Sequence, residues 1–190
     1  LKGVGLHTGK DVTLTFCPAP VNNGFSFKRV DLEGSPVIEA DANYVTNTQR
    51  GTCLEKNGVT IQTSEHVLAA LVGLDIDNAI IELNASEPPI MDGSSIKFVE
   101  ALRDAGPVEQ DAHRKFFELP EEVRFKDLDK GIELAALPLN DYRIAVMVDY
   151  NSKFLSSQHA NLSHVSQFEK DFSMCRTFCF VHELEALYKA

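Results

Sequence analysis

The sequence predicts an α+β fold, and three observations carry that expectation. Short alternating apolar runs fill the first sixty residues, an Asn57-Gly58 pair sits between two of them, and two stretches of helical apolar spacing follow at about residues 64–74 and 95–105. DVTLTF (11–16), GFSFKRV (24–30) and PVIEADANYV (36–45) alternate in the manner of half-buried strands, with turns at Pro18, Pro20, Asn22, Asn23 and Gly24. RGTCLEKNGVTIQT reads as a hairpin that pairs residues 50–55 with 59–62, because Asn-Gly supplies the two positive-φ positions a tight turn needs. TSEHVLAALVGL then reads as a helix capped by Thr63 or Ser64, with Val67, Leu68, Leu71, Val72 and Leu74 inward and Gly73 near its end. NAIIELN (78–84) is a core strand. After the PPIMDG loop, SSIKFVEALRDAG makes a second helix of about 11 residues, with Ile96, Phe98, Val99 and Leu102 inward and Gly106 as its stop.

The order of elements then repeats without a residue-level repeat. RKFFELPEEVRFKD, KGIELAALPL and DYRIAVMVDY are strand candidates, SSQHANLSHVS is a polar loop, residues 165–175 a helix, CRTFCFV a short apolar stretch and HELEALYKA a terminal helical turn or two. The chain therefore divides into 1–110, an α+β domain with two helices, and 111–190, a second α+β domain with strands and one helix. A sheet with one face uncovered exposes core, so this second layer reads as incomplete and the chain as shortened at its C-terminal side.

Composition narrows the function. At 44% hydrophobic and 24% charged, the chain is ordinary globular protein, and a formal charge of -10 with acids spread throughout leaves no basic face for nucleic acid. No stretch reaches the ~20 apolar residues of a bilayer-spanning helix, and LKGVGLHTGK is too polar for a signal peptide, which favours a cytoplasmic location. Cys17, Cys53, Cys175 and Cys179 lack the close-set pairs of a disulfide framework or a zinc knuckle and read as reduced thiols, with Cys175 and Cys179, four apart, read as packed core thiols rather than a metal pair.

Glu65 and His66 stand side by side at the start of the first helix. In one reading Glu65 complements the helix dipole and His66 is a hydrogen-bonded, partly buried polar residue. In the other, His66 ligates a metal and Glu65, about 100° around the helix, is the general base for a metal-bound water. Two residues alone leave both readings open.

Their company carries a resemblance. GVGLHTGK, GTCLEKNGV, TSEHVLAALVGLDIDNAIIEL, EPPIMDGSS and CRTFCFV occur in the order and spacing found in the UDP-3-O-acyl-N-acetylglucosamine deacetylases, zinc amidases of lipid A biosynthesis in Gram-negative bacteria, and the resemblance covers essentially all 190 residues. It implies two α/β layers of similar topology with helices sandwiched between two sheets and the active site at their junction. It implies UDP-3-O-acyl-N-acetylglucosamine as substrate and zinc as cofactor. His66 then corresponds to a zinc ligand, Glu65 to the general base, Thr177 to a hydroxyl that donates to the developing oxyanion, and Phe178 to an aromatic residue lining the sugar and acyl pocket. Cys53 corresponds to a substrate-contacting strand end near the metal, with a small core hydrophobe the equal alternative. His7 is either a substrate-region residue or a turn histidine, Asp92 is a turn or capping acid, and His113, His159, His164 and His182 are surface or loop histidines.

One departure stands out. The family draws its other two zinc ligands from a histidine and an aspartate four residues later in an H-K-x-x-D helix of the second half, and the second half of this chain has no such pair: positions four after His113, His159, His164 and His182 hold Phe117, Ser163, Phe168 and Ala186. A catalytic zinc takes about three protein ligands, so one histidine does not define a site. The expectation is an N-terminal portion of a deacetylase, inactive by itself, with two zinc ligands supplied from beyond Ala190. A hydroxyacyl carrier-protein dehydratase is fused behind the deacetylase in some relatives. A catalytically silent sugar-nucleotide-binding module and a plain α+β interaction domain are the alternatives, and zinc titration separates the three. Oligomeric state is not legible.

Overall fold

The computed structural model describes residues 1–181. The described residues form two compact units, one of residues 1–111 with 166–181 and one of residues 112–165. The first is built on a five-stranded sheet of β1 (Lys2–Val4), β2 (Asp11–Pro18), β3 (Phe25–Arg29), β4 (Val37–Glu39) and β8 (Ala79–Leu83), in the order β1-β2-β8-β3-β4. β8 lies at its centre, antiparallel to β2 and parallel to β3. Its alternating burial follows from the pleat, which sends Ala79, Ile81 and Leu83 to one face.

β5 (Val45–Asn47), β6 (Cys53–Lys56) and β7 (Val59–Ile61) make a separate antiparallel sheet. Asn57 and Gly58 carry φ of 52° and 76°, so the hairpin turn has two left-handed residues, as Asn-Gly predicts. Helices α1 (Glu65–Gly73) and α2 (Ile96–Ala105) pack against each other. Val67, Ala70, Leu71, Phe98, Val99 and Leu102 from them join Leu14, Phe27, Ile38, Leu54, Ile61 and Ile81 in one core. Gly106 ends α2 at φ 75°, a conformation that costs glycine nothing.

Five local expectations give way to tertiary context. The run 36–45 is not one strand: Asp41 accepts from the Asn43 amide and turns the chain through a 3-10 helix at Ala42–Tyr44. Neither Thr63 nor Ser64 caps α1 with its side chain, because the Thr63 hydroxyl donates to Glu87 and the Ser64 hydroxyl to the Thr52 carbonyl. Val72 faces outward at 42% exposure; the helix turns Ala70 and Gly73 inward instead. The 165–175 helix is reduced to a 3-10 turn at Val165–Gln167 and a π turn at Phe168–Phe172. SSQHANLSHVS is not a loop: Gln158–Leu162 forms β12, since ladder pairing needs only backbone groups and β11 (Ile144–Val148) offers them.

The Phe168 turn belongs to the first unit, and its ring covers Gly73 so closely that a Cβ there would fall 2.0 Å from Cδ1. In the second unit β9 (Val123–Asp127) pairs with β10 (Ile132–Ala136) and β11 with β12, both antiparallel. Every residue of β10 and β11 is exposed. Residues 175–180 have no regular structure, and the expected terminal helical turn, with His182, lies outside the described residues. No helix among the described residues is long and apolar enough to cross a membrane.

Candidate functional site

The start of α1 is held from three sides. Gly51 and Thr52, just ahead of β6, run alongside it: the Ser64 amide and hydroxyl donate to the Thr52 carbonyl at 3.2 and 3.0 Å, and the Thr52 amide donates to Glu65 Oε2 at 2.8 Å. Glu65 Oε1 is left 4.0 Å from His66 Nε2, a proximity rather than a hydrogen bond. The carboxylate is 39% exposed and the imidazole 16%. An exposed acid beside a mostly covered ring is an arrangement that a water molecule can reach from one side.

The second side is the loop before α2. Ser95 Oγ donates to the His66 carbonyl at 3.0 Å, and the Ser95 amide donates to Ser173 O. Asp92 accepts from the Ser94 hydroxyl and amide, and its other oxygen accepts from Arg176 at 3.2 Å. It is therefore the turn acid expected. The Ser94 hydroxyl, the Ser94 amide and the Arg176 guanidinium outweigh desolvation and hold its carboxyl below the ordinary range.

The same loop receives the CRTF segment: the Thr177 amide donates to Gly93 O at 2.8 Å. Gly93 has φ +84°, and a Cβ on it would lie 3.7 Å from Thr177 Cγ2. The MDGSS loop thus touches α1 through Ser95 and Thr177 through Gly93. Thr177 is exposed, and Phe178, 60% exposed, meets Phe180 edge-on with centroids 5.8 Å apart. Cys53 is half-buried at the first residue of β6, next to the Thr52 that orients Glu65. Cys175 and Cys179 are exposed, not core thiols.

On the third side is a residue the sequence reading passed over. Glu87 is fully buried, and its carboxylate accepts from the Thr63 hydroxyl at 2.8 Å, the Thr8 amide and hydroxyl at 3.0 Å each, and the His7 amide at 3.1 and 3.2 Å. His7 therefore enters through its backbone, with its side chain exposed. The signal in the sequence was its place at the head of EPPIMDGSS, an acid before two prolines, where no periodicity distinguishes a buried carboxylate from a solvated one.

The donor chemistry fits a zinc site only in part. His66 is a suitable imidazole, but among the described residues no group of three or more His, Cys, Asp or Glu side chains converges on one point. A catalytic zinc takes about three such ligands.

Residues 1–190 match the family model described as LpxC: UDP-3-O-acyl N-acetylglycosamine deacetylase. The chain belongs to this family. It is 47% identical over 98% of its length to the bifunctional enzyme LpxC/FabZ of Chlorobaculum tepidum, covering 40% of that protein. It is 43% identical over its whole length to the bifunctional enzyme LpxC/FabZ of Porphyromonas gingivalis, covering 41% of it. With the UDP-3-O-acyl-N-acetylglucosamine deacetylase of Idiomarina loihiensis it shares 44% identity over 97% of its length, covering 61% of that relative. The chain thus spans between two fifths and about three fifths of the length of these relatives.

Proposed function

We propose that the protein to which these residues belong removes acetate from UDP-3-O-acyl-N-acetylglucosamine in lipid A biosynthesis, as a zinc-dependent cytoplasmic amidase. The observation that carries this reading is the placement of Glu65: its carboxylate is oriented by the Thr52 amide and set 4.0 Å from His66, in a chain matched throughout by the deacetylase family model.

Within that reading Glu65 takes the proton of the attacking water as its oxygen adds to the acetamide carbonyl carbon, and a histidine from the remainder of the full-length protein protonates the leaving amine. The Thr177 hydroxyl donates to the oxygen that gains charge, and a preformed donor is effective there because it needs no reorganisation. Phe178 and Cys53 contact substrate. His66 supplies one of the zinc ligands, and zinc in such a site contributes Lewis acidity. The other ligands are proposed to come from the remainder of the full-length protein, with residues 1–110 as the first of two layers that enclose helices between their sheets. On this reading the 190 residues alone do not turn over substrate.

The test uses full-length protein loaded with zinc. Acetate release from UDP-3-O-acyl-N-acetylglucosamine is expected, and Glu65→Ala is expected to lower kcat by about 10²–10⁴-fold while zinc stays bound. The 190-residue chain is expected to bind zinc feebly. Undiminished turnover by Glu65→Ala removes Glu65 from the mechanism, and a full-length protein that ignores both zinc and substrate defeats the reading.

A further inference from the structure

Thr63, two residues before α1, has φ +51°. A β-branched residue resists that left-handed conformation strongly, so something outside the local sequence must hold it there. What holds it is the carboxylate of Glu87, which receives the Thr63 hydroxyl at 2.8 Å. The same carboxylate binds the His7 and Thr8 amides and the Thr8 hydroxyl, so one group gathers donors from the GLHTG turn and from the residue that launches the Glu65–His66 helix.

The surrounding backbone is built to admit it. A Cβ on Gly5 would fall 2.3 Å from Thr8 Oγ1 and 2.6 Å from Glu87 Oε2, so no other residue fits at position 5 without moving the network. The Ile90 amide donates to Val4 O at 2.9 Å, which ties the PPIM loop to the GVGL segment on the same side. A Cβ on Gly3 would fall 2.9 Å from Pro89 Cβ. A buried carboxylate is costly unless its oxygens are fully supplied with donors, and no buried side-chain nitrogen or oxygen among the described residues lacks a partner. The Gln62 amide donates to Ser86 O, so the segment after β8 runs directly beside the one that Thr63 ends.

We propose that Glu87 is a positioning residue for the reaction: by fixing the left-handed turn at Thr63 against the His7–Thr8 turn, it sets the direction in which Glu65 and His66 are delivered to the site. The inference rests on the deacetylase reading of that site. Glu87 itself touches neither Glu65 nor His66, and acts through the backbone of residues 63–66. A shift of about 1 Å in a catalytic group can cost on the order of 10²-fold in rate, so a change confined to this hinge is felt in kcat.

The experiment compares full-length wild-type, Glu87→Gln and Thr63→Val proteins. Measured are kcat, KM, zinc content, and amide hydrogen exchange at residues 63–66 against residues 98–102 of α2. Glu87→Gln places amide hydrogens against the donors of Thr8 and His7. Thr63→Val keeps the shape of the side chain and removes only its hydroxyl. The expected result is a kcat lowered by on the order of 10²-fold in Glu87→Gln and by about tenfold in Thr63→Val, with KM changed less than about threefold. Exchange should quicken at 63–66 and stay slow in α2. Should Glu87→Gln fail to fold, Thr63→Val decides alone. Wild-type kcat in a folded variant, or exchange that quickens equally in α2, overturns the proposal. If wild-type protein releases no acetate, the functional reading fails by itself, and the exchange pattern still tests whether Glu87 holds the turn.

Discussion

The Thr52 amide donates to Glu65 Oε2 at 2.8 Å, so the first residue of α1 takes its orientation from backbone 13 positions earlier, at the foot of a hairpin. An amide donor fixed by a strand does not rotate, which leaves Oε1 as the free face of the carboxylate, on the side of His66.

Glu65→Gln in full-length protein preserves an acceptor for that amide and removes the capacity to take a proton. The expected outcome is a loss of kcat of about 10²–10⁴-fold with little change in thermal stability, read by steady-state kinetics and a melting curve. A variant that melts far below wild type shows that Glu65 is chiefly a structural acceptor.

Gly73→Ala drives a methyl group into the Phe168 ring, where the nearest atom lies 2.0 Å from the new Cβ. Overpacking of this kind costs about 1–3 kcal/mol. Denaturant unfolding should show that loss, and Phe168→Ala on the Gly73→Ala background should recover part of it. Full additivity of the two substitutions excludes the contact.

The acid limb of stability should report Glu87. Burial pushes its carboxyl upward, but the Thr8 amide, the Thr63 hydroxyl, the His7 amide and the Thr8 hydroxyl outweigh that and hold it below the ordinary value. With the folded value below the unfolded one, the unfolded chain binds more protons in the window between them. The contribution is complete above the ordinary carboxylate value and is lost as pH falls through it toward the folded one. Urea midpoints at about pH 6 and about pH 3.5 should fall more steeply for wild type than for Glu87→Gln. Equal slopes sink the expectation.

Asp92 and Arg176 join at 3.2 Å with side chains 29% and 67% exposed. An exposed ion pair contributes about 0–1 kcal/mol and is screened by salt. A double-mutant cycle with Asp92→Asn and Arg176→Ala should find a coupling below about 1 kcal/mol that disappears at about 1 M salt. A larger, salt-insensitive coupling identifies a pair that is covered in solution.

Periodicity located β2, β3, β8, α1 and α2 because each buries one face against a common core, and the Asn57-Gly58 turn was legible because its chemistry is local. It failed at β12, whose QHANL pairs through backbone alone, and at residues 165–175, where Phe168 is drawn onto Gly73 instead of continuing a regular helix. The sequence by itself placed Glu65 and His66 adjacent at a helix start and brought the family motifs into view in order. Only the tertiary structure decided which way the pair is aimed. The groups that aim it, the Thr52 amide, the Ser95 hydroxyl and the Glu87 carboxylate, lie between 13 and 29 residues from their partners on the segment 63–66, and hydrogen bonds over such separations leave no period in a sequence.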